Sequence, residues 1–381
     1  LLSPPALSCA KRVLVRGPLF ATVNFLESAT MFSERLKSLV PYTPGEQPQD
    51  KKYLKLNTNE NPYPPSPRIR EVLDGLDIER LRLYPDPMST KLREKLAVKW
   101  GLNKDQVFVS NGSDEALSFC FYAFFGSGTG KLLFPDLTYS FFPVYCSFYT
   151  IPYETVPLKD DFTIDLGRFL EKPSCGLIFP NPNAPTGIHV PLEQVFSLLE
   201  NYPRDKVVVI DEAYIDFGGE SAIGLIQAFP NLAVVRTFSK SMSLAGLRLG
   251  FVLAGERLVS ALFTVKDSFN SYPLDTLAQL IGEIALEDET YYRSITEEII
   301  STREDFGREL AELGWHVFPS KANFVFAGKQ GIPGKKIYLG LKERGILVRH
   351  FDVDRIRNFV RITIGKREDM NRLLTVIREG F

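Results

Sequence analysis

The chain has 381 residues, 44% hydrophobic and 24% charged, with 45 basic against 46 acidic side chains. That near-neutral balance argues against a nucleic-acid or polyanion surface and leaves small molecules or further protein subunits as partners. The length exceeds what one compact core usually serves, so a large domain with a smaller companion is expected. Cys9, Cys120, Cys146 and Cys175 share no Cys-x-x-Cys spacing and read as buried apolar side chains of a reducing, cytoplasmic compartment. The three histidines are scattered, so no metal site is expected. No apolar run reaches the roughly 18 residues of a membrane span.

Residues 1–30 begin with Leu, carry Lys11, Arg12 and Arg16, and hold no acid before Glu27. They read as a leader or as an extended, poorly ordered start ahead of Met31. From about Tyr84 to Asp275, short apolar runs alternate with amphipathic stretches. Strands are expected at Val107–Ser110, Lys131–Phe134, Gly176–Phe179, Val207–Ile210, Leu232–Thr237 and Leu249–Leu253. Their continuous β-rich composition suits a sheet covered on both faces. Helices are expected at Met88–Trp100, Ser113–Phe125 and Leu192–Asn201, giving an α/β large domain over residues 76–275 with a mostly parallel sheet. The remainder, 276–381, reads as a smaller α+β domain. It opens with a helix over Tyr291–Leu313, continues with strands at His316–Phe318, Asn323–Phe326, Ile346–Arg349 and Phe359–Ile364, and closes on a helix carrying Leu373, Leu374 and Ile377. The glycine-rich run Gly126–Lys131 imitates a phosphate loop, but Phe125 stands where the Walker pattern needs glycine and no Ser or Thr follows Lys131. It reads as a helix-to-strand connection.

Three segments carry candidate chemistry. Lys240 follows an apolar strand, with Thr237, Ser239 and Arg248 close by in sequence. Two hydroxyls and a guanidinium suit a phosphate dianion, and a desolvated lysine amine is a Schiff-base nucleophile. Alone, Lys240 reads as a solvated lysine at a strand end; these neighbours reverse that reading. Asp211 ends the run Val207–Ile210 and is followed by Glu212, Ala213 and Tyr214. A carboxylate there suits a protonated ring nitrogen; the plain alternative is a helix N-cap. Ser110–Glu115 joins a strand to a helix through Gly112. With a Ser cap and an acidic first turn it is either a phosphate-binding helix start or a simple capping motif.

Taken in order, Ser110–Glu115, Tyr139, Asn181–Gly187, Asp211–Tyr214 and Thr237–Arg248 resemble the fold-type-I aminotransferases, which use pyridoxal 5′-phosphate (PLP). Within them, Val40-Pro41-Tyr42-Thr43-Pro44-Gly45, Leu56–Pro62, Tyr84-Pro85-Asp86 and Phe359–Gly365 resemble the histidinol-phosphate aminotransferase family from about Phe32 onward. The resemblance implies the PLP-dependent transferase fold. It also implies that Lys240 binds the cofactor covalently and shuttles a proton, that Asp211 pairs with the pyridine nitrogen, and that Tyr214 contacts the ring oxygen. Tyr139 would stack on the ring. The backbone of Ser113 and Asp114, with Thr237, Ser239 and Arg248, would hold the phosphate.

The same resemblance implies a homodimer with shared sites. Tyr84 would reach the neighbouring subunit's cofactor phosphate, and residues 31–75 would pack against the small domain and the partner. Arg361 would clamp the substrate's anionic group and Arg349 would be the second cation at a phosphate. Tyr42 would lean in from the partner subunit, and Asn59 would stand beside the substrate. The family usually has Asn directly before Pro-Thr-Gly; here Ala184 stands there, leaving Asn183 or Tyr214 alone to contact the ring oxygen. The implied reaction is transamination of histidinol phosphate with 2-oxoglutarate. The alternatives are a related PLP enzyme acting on aromatic amino acids or threonine phosphate, and a non-catalytic PLP-scaffold protein.

Overall fold

The computed structural model describes residues 32–126 and 130–381. The expected leader over residues 1–30 lies outside the described residues, as do residues 127–129 of the Gly126–Lys131 connection. Two compact units divide the chain at Val40/Pro41. In the described part of the first, Glu34–Ser38 forms a 3-10 turn. All described strands belong to the second, Pro41–Phe381.

In chain order the strands are β1 (Leu54–Lys55), β2 (Val107–Asn111), β3 (Lys131–Pro135), β4 (Tyr153–Val156), β5 (Ser174–Pro180), β6 (Val207–Asp211), β7 (Leu232–Thr237) and β8 (Leu249–Ala254). There follow β9 (Trp315–Val317), β10 (Phe324–Lys329), β11 (Ile346–Leu347), β12 (Arg349–His350) and β13 (Val360–Thr363). The largest sheet has seven strands in the order β2-β8-β7-β6-β5-β3-β4. Only β8 runs antiparallel to its neighbours; the others are mutually parallel.

The continuous apolar runs serve two cores rather than one. Val107, Leu133, Leu177, Val208, Val234 and Leu253 face one core. Their immediate neighbours Phe108, Leu132, Ile178, Val209, Val235 and Val252 face the other. A strand turns successive side chains to opposite faces, so both faces need apolar residues when helices cover both. The first core is closed by Thr90–Trp100, Leu192–Asn201 and Thr276–Glu287, the second by Gly112–Phe124, Phe142–Tyr149 and Glu256–Phe269. Strand β4 and the helices Phe142–Tyr149, Glu256–Phe269 and Thr276–Glu287 were not among the expected elements.

A second sheet, β12-β13-β10-β9, is antiparallel. It packs with the helix Glu289–Glu312, which begins two residues before the expected Tyr291, and with Arg367–Gly380. The expected single strand Ile346–Arg349 is in fact two. β11 pairs in parallel with β1, whereas β12 pairs with β13. The chain changes partners at Val348, a choice between sheets that no local pattern encodes.

The carboxyl ends of β2, β5, β6 and β7 converge, the usual location of sites in open α/β sheets. At one of them Gly112 adopts φ +79°, and Gly250 on β8 lies directly against the backbone of Gly112 and Ser113. A methyl group on Gly250 would collide with the start of the helix Gly112–Phe124. Gly250→Ala is expected to lose about 1–3 kcal/mol through overpacking, read as a lower thermal unfolding midpoint; an unchanged midpoint would show that this helix start is free to shift.

Candidate active site

A cavity of about 350 Å³ opens at those strand ends. It is lined by Tyr42, Asn59, Ser113, Asp114, Tyr139, Asp211, Tyr214, Thr237, Ser239, Lys240, Arg248, Arg349 and Arg361, together with Thr58, Glu60, Ala184 and Phe351. One residue expected in it, Asn183, is missing.

Lys240 sits on the loop after β7, and that loop is tied from several sides. Asn61 Nδ2 donates to the Lys240 carbonyl at 3.0 Å and to that of Ser241 at 3.4 Å. Ser239 N donates to Thr237 Oγ1 at 3.1 Å. Ser241 Oγ donates to Asp216 Oδ2 at 2.5 Å, and Asp216 also accepts from Arg236. Arg236 reaches Glu212 at 3.3 Å, and Glu212 accepts from Ser221 Oγ and Ala222 N, both at 2.6 Å. Burial raises the Glu212 carboxyl, while Arg236 and these donors pull it back. Lys240 Nζ itself lies 3.4 Å from the Thr58 carbonyl and 5.6 Å from the Tyr214 ring centroid.

The helix Gly112–Phe124 points its N-terminus into the cavity. The expected Ser cap is not formed: Asn111 occupies the cap position without a side-chain cap bond, and its own N–H donates to Glu115 Oε2 at 2.7 Å. Gly112 takes the left-handed turn and starts the helix one residue early, placing Ser113 inside it. Uncapped N–H groups at a helix start attract anions. Asp114 is held by three neighbours. Its carboxylate accepts from Tyr139 Oη at 2.8 Å and Arg248 Nη2 at 3.1 Å, and its carbonyl from Tyr145 Oη at 2.7 Å. Arg248 itself adopts φ +56°.

Asp211 is the last residue of β6. Its carboxylate accepts from Ala213 N at 3.0 Å. Burial pushes its pKa up to about 7; the Ala213 bond opposes that shift, as does Lys240, while Asp114 and Glu212 add to it. Such a carboxyl is suited to a cationic ring nitrogen, which would stabilise its charged form. Nearby, Tyr214 Oη accepts from Asn59 Nδ2 at 2.9 Å.

On the small-sheet side, Arg349 and Arg361 are direct cross-strand partners on β12 and β13. Like charges placed opposite one another are unfavourable without an anion between or beside them. Burial lowers the Arg361 pKa; Tyr214 supports its charge and Arg349 opposes it. Arg361 Nη2 donates to the Asn57 carbonyl at 3.0 Å, while its buried Nε has no partner. Arg349 donates to the carbonyls of Pro44 and Thr43, both at 3.4 Å.

Two expectations, for Asn183 and for Tyr42, need correction. Asn183 is fully buried, and its amide donates to the Leu137 carbonyl at 2.9 Å and to Thr186 Oγ1 at 3.2 Å. It shapes the loop while Ala184 faces the cavity, because the backbone does not shift to exchange them. Tyr42 lines this chain's own cavity, 4.9 Å from the Phe141 ring and 6.5 Å from Tyr139, where a residue from the partner subunit was expected. Tyr84, expected to serve the neighbouring subunit, is 82% exposed, stacks on Tyr272 at 4.7 Å and does not line this chain's own cavity. Asn61, Thr58 and the Glu212–Arg236–Asp216 group were missed. Their signals were the alternating Asn57, Asn59, Asn61 and the charges Arg236 and Glu212 within or beside apolar strands. Among the described residues, no helix is long and apolar enough to cross a membrane and no cluster of His, Cys, Asp or Glu is placed to hold a metal ion.

The Asp211 carboxyl has a folded pKa near 7 against an ordinary 3.8. Its stabilising contribution is therefore full below about pH 4 and is lost as pH rises through 7. At roughly 1.4 kcal/mol per unit, a few kcal/mol are involved. Cofactor-free wild type should lose thermal stability across this window relative to Asp211→Asn. Parallel melting curves against pH for the two proteins would contradict it.

The sequence matches the family described as aminotransferase class I and II over residues 51–377. Histidinol-phosphate aminotransferase of Syntrophus aciditrophicus (strain SB) is 61% identical over 355 residues, covering 92% of this chain and 98% of that protein. The enzyme of the same name from Lactococcus lactis subsp. cremoris (strain MG1363) is 46% identical over 348 residues, covering 91% and 97%. The fold is shared with the crystal structure of histidinol-phosphate aminotransferase from Sinorhizobium meliloti in complex with pyridoxal-5′-phosphate. That match has a TM-score of 0.83 at 24% identity and covers 93% of this chain and 99% of that one. The family match runs through the Lys240 loop, Asp211 and the start of the helix Gly112–Phe124, all of which meet in this cavity, and over most of its length this chain belongs to the class I and II aminotransferases.

Proposed function

We propose that the chain is a PLP-dependent transaminase that moves the amino group of L-histidinol phosphate to 2-oxoglutarate, giving imidazole-acetol phosphate and L-glutamate. The observation that carries the substrate assignment is the opposed pair Arg349 and Arg361 in the cavity that also holds Lys240. One guanidinium suffices for a carboxylate, whereas two suit a phosphate dianion. The names of the relatives at 61% and 46% identity agree with it.

PLP, when bound, supplies an electron sink conjugated to the substrate's Cα. Lys240 Nζ would serve as the base that takes and returns a proton at the substrate's Cα. The Asp211 carboxylate would pair with the ring nitrogen, and Tyr214 would donate to the ring oxygen. Ser113 and Asp114 N–H groups, with Thr237, Ser239 and Arg248, would hold the phosphate, and Tyr139 would cover the ring. Buried, free Cys120, Cys146 and Cys175 are compatible with a reducing cytoplasm.

The working unit is a homodimer in which Tyr84 serves the other subunit's cofactor phosphate. Its exposure and its distance from this chain's own cavity support that reading. Mixing Lys240→Ala with Tyr84→Ala protomers should then regain activity, since one site per heterodimer keeps both residues. No regain after verified subunit exchange would overturn sharing.

Charge-assisted contacts contribute about 1.5–3 kcal/mol each, or roughly 10- to 150-fold in rate. In single-turnover cofactor spectra, Arg361→Ala should slow both half-reactions, with glutamate and with histidinol phosphate. Arg349→Ala should slow the histidinol-phosphate half-reaction by that factor and leave the glutamate one nearly unchanged. Equal loss in both would make Arg349 structural and remove the main support for a phosphorylated substrate.

A further inference from the structure

Asn59 adopts φ +56°, a backbone conformation that Asn tolerates better than most residues, and only 1% of it is exposed. Every polar atom of it is engaged. Its backbone N donates to Thr363 Oγ1 at 3.0 Å, and its carbonyl accepts from Asn323 Nδ2 at 3.0 Å. Its side-chain Oδ1 accepts from Thr363 Oγ1 at 3.1 Å, and its Nδ2 donates to Tyr214 Oη at 2.9 Å.

The order of donors follows from proton counting. Thr363 Oγ1 accepts from the Asn59 N–H, so its single proton is free to go to Asn59 Oδ1. That choice turns the amide so that Nδ2, a pure donor, faces Tyr214. The Tyr214 oxygen thereby accepts from Asn59, and its own proton has to point elsewhere. Tyr214 and Lys240 line the same cavity, and Ala184, which packs against Tyr214, has no donor to offer there.

We infer that Asn59 is a positioning residue: relayed from Thr363, its amide commits the Tyr214 hydroxyl to donate to the ring oxygen of bound PLP. This replaces the substrate contact expected for Asn59, and it rests on the proposed PLP-binding function. The relay starts on β13, two residues from Arg361, so the strand that carries the anion clamp also sets the cofactor's hydrogen bond.

A donor to the ring oxygen stabilises negative charge there and so favours the deprotonated cofactor–Lys240 linkage. Weakening that donor raises the linkage pKa. The readout is the visible absorbance of holoenzyme without substrate, titrated with pH. Asn59→Gly is the suitable variant, because glycine accepts the positive φ without strain. It should raise the linkage pKa by about 0.5–1 unit, and Tyr214→Phe should raise it more. The double variant should match Tyr214→Phe alone, because Asn59 acts only through that hydroxyl. Lys240 and Arg361, the charged groups facing Tyr214, are present in all of these proteins and cancel from the comparison.

A folded Asn59→Gly holoenzyme with an unshifted linkage pKa, or additive shifts in the double variant, would overturn the inference and leave the function standing. Wild type that forms no visible band with PLP would overturn both. If Asn59→Gly does not fold, Thr363→Val carries the test: it removes the start of the relay and should raise the linkage pKa, and an unchanged value would refute the relay.

Discussion

Asp211 ends a strand whose other residues are apolar, and burial there raises its carboxyl to about 7. At the opposite wall of the cavity two arginines face each other across β12 and β13. Each arrangement is costly by itself: a buried carboxyl without a cation, and paired guanidinium groups without an anion. The surrounding fold maintains both. Two cores, one on each face of the seven-stranded sheet, hold β6 in place, while a third cluster fixes β13. The packing thus supports charges that a cation at Asp211 and an anion at the two arginines would neutralise.

The irregular segment Asn57–Asn61, bent at Asn57 and Thr58 and left-handed at Asn59, behaves as a polar staple. Asn57 Nδ2 donates to the Glu46 carbonyl at 2.9 Å, Asn59 to Tyr214, and Asn61 to the backbone of Lys240. Because residues on this short stretch touch both the lysine loop and β13, a shift of the small sheet would be felt at the lysine. The Glu212–Arg236–Asp216 group anchors the same loop from the other side through Ser241. Lys240 is therefore held by backbone and neighbours rather than by strong bonds to its own amine, which leaves Nζ free for chemistry.

Local sequence patterns marked most of the cavity. Lys240, Asp211, Tyr214 and the Ser113–Asp114 turn each stand at the end of a strand, and parallel strands deliver their carboxyl ends to one edge. Arg361 and Arg349 were legible only through resemblance, since an arginine on a short strand has no local signature of purpose. The resemblance implies an amide before Pro-Thr-Gly, and Asn183 is one residue from that place, but its hydrogen bonds to Leu137 and Thr186 already use it.

The α/β class, six of the seven strands of the large sheet and the residues at their ends are legible in the chain alone, because hydrophobic periodicity and turn chemistry are local. Packing sets the rest: Ile346–Arg349 divides between two sheets, Tyr42 lines its own chain's cavity, Arg349 faces Arg361, and Asn59 meets Tyr214 across 155 residues. Such pairings are set by which elements pack together, and the partners' separation along the chain leaves no periodic trace of them in either segment.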